Sequence, residues 1–454
     1  MLRAGEDQWD LLLKMSKQLV FFGLLLSWSM SALAGEPWTL ERALAQALNQ
    51  NPDARLARQR IAAARAGLEQ ANAAFWPRLQ FQSSYTRTDN PMMVFGSILN
   101  QRAYPSAGLN FNDVPEVDDL NTRGLVTVPL YAGGKTKAGR EAAKANSEAA
   151  RQENEAVRNA LGFEVSRGFY SVLKTRQFIR AAEAAVNSFE TSLGTAQKRL
   201  EGGTLLKSDV LDIEVRLAQA REDLVRARNA NALAGRALRN LLGIEEGDLE
   251  VAESAPRVTA PDSGDFSRRA ELAAARQREK AAQEQVRGAQ SGYLPRVSAF
   301  GSLDYDYGWR FESGGGSYTA GALVQWDLWD GKLTRAKVRE ARANLESARE
   351  EQRKLRLALD LEVEQARLDL KAANERLAVT GQVVAQASES AGLTRARFEQ
   401  GAALSTQLID SETALVAARV RRAEAEADQQ IAIAALRKAL ALPQLEPESN
   451  SERK

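Results

Sequence analysis

The amino-acid sequence predicts an α+β fold made of two copies of one unit, each with two β-strands and unusually long helices. The clearest observation is a turn that occurs twice. Arg199–Asp212 and Arg397–Asp410 share Arg, Glu, Gly, Leu and a closing Asp in the same register. From Arg199 to Ile244, roughly a third of the residues are identical to their counterparts in the second copy. Each turn joins two proline-free segments with helical periodicity, so a duplicated helical hairpin is predicted.

The composition favours long helices and excludes several kinds of site. Ala, Leu, Gln, Glu and Arg are abundant, whereas aromatic residues make up 6% of the 454 residues. With no Cys and no His, disulfides, thiolate chemistry, His-ligated metals and His-based acid–base catalysis are excluded. The lack of Cys also predicts that no N-terminal lipid anchor is present. A net charge of +2 with interspersed acids and bases argues against nucleic-acid binding.

Residues 1–34 are predicted to be a secretory signal peptide. Two lysines precede the apolar run Leu19–Leu26, and Ala32–Ala34 supplies small residues for cleavage. Met15 is a possible true start, because acidic residues precede it and such residues fit a signal peptide poorly. The alternative is a membrane anchor, for which the apolar run is too short.

The first unit is expected to span 35–264. Its expected elements are a helix from Thr39 to Phe75, a strand at about 78–88, an exposed loop over 89–119, a strand at about 120–131, a long helix 135–200, a helix 208–242 and a linker. The strands are predicted from apolar residues at every second position. At ~1.5 Å per residue, the long helix would extend about 100 Å.

The second unit is expected to span 265–442 in the same order. Its expected elements are a helix at 266–293, a strand at about 296–309, a turn at Gly314–Gly316, a strand at about 318–330, a long helix 332–398 and a helix 405–440. Residues 443–454 are expected to form a disordered tail. In both long helices, apolar and small residues alternate spacings of four and three, which predicts coiled-coil packing.

The predicted strands have one apolar and one polar face. Tyr305 and Tyr307 alternate with Asp304 and Asp306. Four strands cannot close a barrel with a lumen, and an open sheet cannot lie in lipid with unpaired edges. Two alternatives follow: a small sheet in a soluble protein, or several chains that pool their strands into one barrel.

The order and duplication of these motifs resemble the TolC-like outer-membrane efflux channel family. The resemblance is carried by Leu130–Lys135, Leu328–Lys332 and the two turns, and it covers about Pro37 to Leu442. It implies an α+β membrane protein in which each protomer of a homotrimer gives four strands to a twelve-stranded outer-membrane barrel. The barrel would continue as a long periplasmic α-helical coiled-coil tunnel. Twelve is an even strand number, as bacterial barrels require.

The resemblance also implies a pore constriction at the tunnel tip. Family members often carry two aspartates after the second turn, and these form acidic rings in the trimer. The matching positions here are Gln407 and Asp410, while Ala403 replaces a basic residue that is often found in that turn. Asp209, the counterpart of Gln407 in the first turn, would add a carboxylate. Such rings would favour cations; alternatively, Asp209 and Asp410 only stabilise the adjacent helix N-termini through the helix dipole.

Four further residues are expected at the tips of the turns. Gly203 and Gly401 are expected to adopt positive φ, which only Gly does at low cost. Leu206 and Leu404 are expected beside them, either exposed for docking of an adaptor hairpin or covering the hairpin core.

The expected function is that of a passive exit duct in a tripartite efflux or type I secretion system. Small molecules, metal ions or polypeptides would be driven through it by an inner-membrane pump acting through a periplasmic adaptor (membrane fusion) protein. The alternative is a soluble periplasmic coiled-coil adaptor or tether. Catalytic, metal-binding and cofactor-binding residues are not expected. Asp304, Asp306 and Asp327 could form an enzyme's carboxylate cluster, but alternating strand positions facing a wet lumen explain them without catalysis.

Overall fold

The computed structural model of the protein describes residues 37–106, 108, 110, 112–247, 249–253, 258–261 and 265–445. The predicted signal peptide (1–34) and residues 446–454 of the predicted tail lie outside the described residues. Within the described ranges, the chain forms eight α-helices and one four-stranded sheet. None of these helices is both long and apolar enough to cross a membrane.

The helices and strands follow the predicted order with several changes. The helices are α1 (Leu40–Gln50), α2 (Pro52–Ala73), α3 (Pro91–Asn100), α4 (Lys135–Glu201), α5 (Lys207–Leu241), α6 (Ala270–Gln290), α7 (Leu333–Glu399) and α8 (Ser405–Ala439). The strands are β1 (Arg78–Thr88), β2 (Val117–Ala132), β3 (Arg296–Gly308) and β4 (Ser313–Gln325). Helices α4 and α7 have 67 residues each and are therefore about 100 Å long.

Helix α4 is the centre of the helical region. It packs against α2, α5, α6 and α8, while α7 pairs with α8 along its length. Residues of the predicted heptad pattern in α4 are buried in two apolar clusters. Leu161, Val165 and Val172 belong to one cluster, and Phe189 and Ala196 belong to a second one near the glycine turns. Two antiparallel hairpins, α4–α5 and α7–α8, are thereby held side by side.

The single helix predicted from Thr39 to Phe75 is wrong, because the chain breaks at Asn51 into α1 and α2. Thr39 caps α1 as expected, since its Oγ1 accepts from the backbone N–H of Arg42 at 3.3 Å. Pro52 forces Asn51 out of the helical region of backbone space. The Asn51 side chain then accepts from Asp53 N at 2.7 Å and donates to Leu241 O at 2.9 Å.

The sheet is antiparallel throughout, in the order β1-β2-β3-β4. Strands β1 and β4 are its two edges. The register aligns Phe81, Gly124, Leu303 and Tyr318 in one row across all four strands. A bulge between Pro129 and Tyr131 interrupts the ladder near the end where the helices begin.

The predicted difference between the two faces of the sheet is present. On one face the apolar side chains stand exposed, with Phe81 76% and Tyr318 80% accessible. On the other face Arg123 hydrogen-bonds Asp304, and Asn121 donates to Asp306 at 2.9 Å. A single protomer thus shows an uncovered apolar face and a hydrogen-bonded polar face.

The chain between β1 and β2 is not the exposed loop predicted over 89–119. It contains α3, whose Val94 and Ile98 are buried against Val117. The prediction of a turn at Gly314–Gly316 was also wrong. These glycines lie within β4, which begins at Ser313 and ends at Gln325 rather than spanning 318–330.

Candidate functional site

The two glycine turns lie next to each other at the end of the hairpins far from the sheet. Gly203 has φ +73° and Gly401 φ +83°, values that only Gly adopts cheaply. In the first turn Thr204 N donates to Arg199 O at 2.9 Å, and in the second Ala402 N donates to Arg397 O at 2.7 Å. Both helix ends are therefore closed by the same hydrogen-bonding pattern.

Asp209 joins the two turns. Its Oδ2 accepts from Leu206 N at 3.3 Å, which caps the start of α5. Its Oδ1 accepts from the hydroxyl of Ser405 at 2.6 Å, across to the start of α8. Ser405 is only 1% exposed, so the donor end of this hydrogen bond is buried, while Asp209 is partly exposed.

Gln407 takes the capping role in the second hairpin. Its Oε1 accepts from Leu404 N at 3.2 Å, as the carboxylate of Asp209 does for Leu206. Replacing a carboxylate by an amide at this position keeps the cap and removes the charge. An acceptor three residues after each exposed leucine is a sequence cue that could have identified both caps.

Asp410 lies one turn further along α8 and is exposed, between the buried pair Leu408 and Ile409 and the buried Glu412. Its counterpart in α5, Asp212, is exposed as well. The carboxylate of Asp410 therefore lies on the solvent side of the helix, where a ring of carboxylates could form in an assembly of several copies.

Arg199 is a contact residue that sequence reasoning missed. Its Nη1 donates to Phe398 O at 2.8 Å in the other hairpin, and its guanidinium lies 5.1 Å from the centre of the Phe398 ring. Within their own turns the two arginines behave alike, since Arg199 donates to Thr204 O and Arg397 to Ala402 O, each at 3.4 Å; the bond to the other hairpin is the one that Arg199 adds. Because the two sequences match at this position, they carry no sign of this asymmetry.

A second buried link lies just above the turns. The carboxylate of Glu412 is 2% exposed and accepts from Arg395 Nε at 3.0 Å. The same guanidinium donates to Ser188 Oγ at 3.0 Å. This group ties α4, α7 and α8 together, and no motif in the sequence predicted it.

The two leucines expected at the tips are in solvent. Leu206 is 71% and Leu404 66% exposed. The neighbouring Leu205 and Ala403 pack against the buried cluster instead. In one protomer the core is thus closed by the neighbours, and the leucines form the outermost apolar surface of the hairpins.

The three aspartates considered for an enzyme site are each engaged in the sheet region. Asp304 is held by Arg123 and by Ser302, whose hydroxyl donates at 2.8 Å. Asp327 follows β4 and pairs with Arg296 at 3.2 Å. These contacts are those of a polar sheet face.

Comparison with known proteins gives consistent results. The model of the outer membrane efflux protein family matches residues 43–244 and 266–442. Alkaline protease secretion protein AprF of Pseudomonas aeruginosa is 28% identical over 207 residues, 45% of this chain and 39% of AprF. The probable outer membrane lipoprotein SilC of Salmonella typhimurium is 22% identical over 292 residues, 62% of this chain and 59% of SilC.

These two alignments thus span less than two thirds of either relative. Structural similarity extends further along the chain. The outer-membrane channel OprN superposes with a TM-score of 0.77 at 22% identity, covering 89% of this chain and 90% of OprN. The family match includes both hairpins and all four strands, so the chain belongs to the outer membrane efflux protein family and has its TolC-like channel fold.

Proposed function

We propose that this protein is the outer-membrane channel of a tripartite efflux or type I secretion system. It acts as a passive exit duct for small molecules, metal ions or polypeptides. The observation that carries the proposal is a sheet with an exposed apolar face, a hydrogen-bonded polar face and two unpaired edges, continued by helices about 100 Å long.

A homotrimer satisfies the edges of this sheet. Backbone groups that remain unpaired in lipid cost several kcal/mol each. Pairing β1 of one protomer with β4 of the next closes three sheets into one twelve-stranded barrel. The apolar face then contacts outer-membrane lipid, and the Arg123–Asp304 row lines a polar lumen.

The hairpin tips would form the pore constriction at the periplasmic end. Asp410 supplies exposed carboxylates and Gln407 supplies amides one turn earlier. Asp209 contributes a carboxylate that is already hydrogen-bonded to Leu206 and Ser405. A ring with one carboxylate per protomer from Asp410 would favour cations.

The exposed Leu206 and Leu404 offer an apolar surface to a partner. A periplasmic adaptor (membrane fusion) protein that presents a helical hairpin would bury them, as amphipathic helices do in apolar grooves. The adaptor would in turn connect the channel to an inner-membrane pump, which supplies the energy for export.

The alternative, a soluble periplasmic adaptor or tether, is disfavoured by the sheet. In a soluble protein Phe81, Leu303 and Tyr318 would place a contiguous apolar surface in water. Monomeric soluble proteins rarely do so.

Membrane extraction followed by cross-linking tests the proposal. The protein should stay with the outer-membrane fraction after washing with high salt and with alkaline carbonate, and it should migrate as a trimer in mild detergent. A photo-cross-linker at Leu404 should capture an adaptor, with which a pump copurifies, whereas one at the lipid-facing Phe81 should not. Release by salt, or a monomer in detergent, would overturn the proposal.

A further inference from the structure

Helix α3 lies on the polar face of the sheet, at the end opposite the long helices. Its Val94 and Ile98 are fully buried in a cluster with Val117. Val117 is at the start of β2 and shares a face with Asp119 and Asn121, whose side chains belong to the polar side. In the proposed barrel α3 therefore lies on the lumen side of the outer mouth.

The residues that follow α3 fix it there. Gln101 is 0% exposed, and its Nε2 donates to Asp118 O at 2.8 Å and to Asp119 Oδ1 at 2.9 Å. Its own carbonyl accepts from Ser313 Oγ at 2.8 Å. Arg102 Nη2 donates to Gly316 O at 3.1 Å. These bonds attach α3 to both β2 and β4, so it is an integral part of the sheet end.

Two glycines make this close approach possible. A Cβ atom on Gly315 would lie 2.1 Å from Asn100 O, and one on Gly308 would lie 2.2 Å from Gln101 Oε1. Any side chain there would displace the segment. Gly308 at the end of β3 and Gly315 in β4 are thus explained by the segment that packs on them.

The side of α3 away from the sheet is apolar and uncovered. Met92 is 80% exposed, and Met93 and Leu99 are about half exposed. An aqueous lumen would be an unfavourable environment for three large apolar side chains on one short helix. They need a partner inside the mouth.

The size of the barrel identifies that partner. Twelve strands spaced about 4.8 Å apart and tilted about 40° enclose a circle roughly 24 Å across. A helix with side chains is about 10 Å wide. A helix that packs on the inner wall holds its axis about 8–10 Å from the strands, so three such helices at the same height come into contact around the barrel axis. This step rests on the proposed trimeric channel.

We infer that the three α3 helices of the trimer meet across the outer mouth and form an apolar constriction through Met92, Met93 and Leu99. The partner of each helix is therefore its copy in the other two protomers. A ring of apolar side chains narrows the mouth, so bulky solutes pass more slowly than small ones. The channel then has two separate barriers, a polar one at the periplasmic tip and an apolar one at the cell surface.

Cross-linking tests whether the helices meet. The natural chain has no cysteine, so Met92→Cys introduces a single thiol. Mild oxidation of the trimer should link Met92→Cys protomers into dimers. Gln82→Cys, on the polar face of β1 along the barrel wall, is the matched control and should stay unlinked. If neither variant forms disulfide-linked dimers, the inference is overturned.

Labelling from outside tests whether the mouth is closed. In intact cells Gln82→Cys should react with a small methanethiosulfonate reagent at least tenfold faster than with a bulky fluorescein maleimide. Met92→Ser, Met93→Ser and Leu99→Ser, added together to the Gln82→Cys protein, should largely remove this difference between the two labelling rates. Met92→Leu with Met93→Leu in the same protein should preserve it.

If the protein is a trimer and the bulky reagent labels Gln82→Cys rapidly while Met92, Met93 and Leu99 are unchanged, the inference is overturned and the proposed function stands. A protein that is monomeric and extractable by salt would overturn the proposed function itself.

Discussion

The hydroxyl of Ser405 donates to the carboxylate of Asp209 over 2.6 Å, joining the first turn of α8 to the first turn of α5. Nearby, Arg199 of the first hairpin donates to Phe398 O of the second hairpin at 2.8 Å, in the opposite direction. The two turns are therefore held together by two polar contacts, one donated by each hairpin. Any motion that separates the hairpins at the tip must break both.

Ser405→Ala should loosen the tip. Loss of a hydrogen bond from the buried Ser405 to a carboxylate costs about 1.5–3 kcal/mol, so amide hydrogen exchange in the first turn of α8 should be faster by tenfold or more. A double-mutant cycle with Asp209→Ala should show coupling, because the two groups share one bond. Lys207→Ala, at the position in α5 that corresponds to Ser405, is the matched control. Additive effects would show that the bond does not couple the hairpins.

Asp410→Ala should weaken cation selectivity. The exposed carboxylate of Asp410 is one of the two charged groups of the proposed constriction, and removing it takes three negative charges out of the proposed trimeric pore. Reversal potentials under a KCl gradient in planar bilayers should shift towards zero. Gln407→Asp should shift them the opposite way. Asp212→Ala removes the corresponding charge in α5 and serves as the comparison; unchanged potentials for Asp410→Ala would reject its pore role.

Gly203→Ala should destabilise the first turn. No atom lies within 4 Å of a Cβ atom built on Gly203, so the substitution tests its φ of +73° alone. An L-residue in this region costs about 1–2 kcal/mol. The Gly194→Ala control lies within α4, also has open space, and should stabilise by about 0.5–1 kcal/mol. The temperature at which the trimer dissociates in detergent would compare them, and equal shifts would contradict the turn geometry.

The buried Arg269 should make stability depend on pH. Arg269 is 4% exposed and contacts Glu271 at 2.5 Å and Glu362 at 2.6 Å. Burial opposes ionisation of Glu271, but hydrogen bonding and the charge of Arg269 outweigh it and hold its pKa below the ordinary value. A lowered carboxyl pKa stabilises the fold above the ordinary pKa, and this stabilisation is lost as the pH falls through the lowered value.

Arg269→Met should therefore cost several kcal/mol at neutral pH, because it leaves a half-buried carboxylate without its cation. The difference in unfolding temperature from the natural protein should shrink as the pH is lowered from 7 towards 4, where Glu271 becomes protonated in the variant. Arg268→Met, which removes the exposed neighbouring charge, should show no such trend. A difference that stays constant with pH would exclude this ion pair as its source.

Periodicity predicted the long hairpins and most of the strands, because regular burial leaves a regular pattern. The bounds of α4 (Lys135–Glu201) and β1 (Arg78–Thr88) agree with the sequence prediction within one residue. Helix α3 has only ten residues, too few for a clear period, and its buried residues are set by contact with Val117. The run Gly314–Gly316 has the composition of a turn, and the residue that explains Gly315 within β4, Asn100, is distant in sequence.

The sequence located both turns but not the contacts between them. Alignment of the two turns correctly paired Asp209 with Gln407 as equivalent positions. It could not show that Asp209 bonds Ser405, since Ser405 corresponds to Lys207 and the two copies differ there. Contacts between copies of a repeat depend on how the copies pack, which neither copy encodes alone.

The open edges β1 and β4 have a genetic consequence. In the proposed trimer, a chain altered at either edge would disrupt every barrel that it joins, because each barrel is closed by three β1–β4 pairings and each pairing needs two intact strands. With natural and altered chains expressed equally, about one trimer in eight would contain natural chains only. Mutations at these edges should therefore behave as dominant-negative alleles, whereas null alleles of the same gene should be recessive.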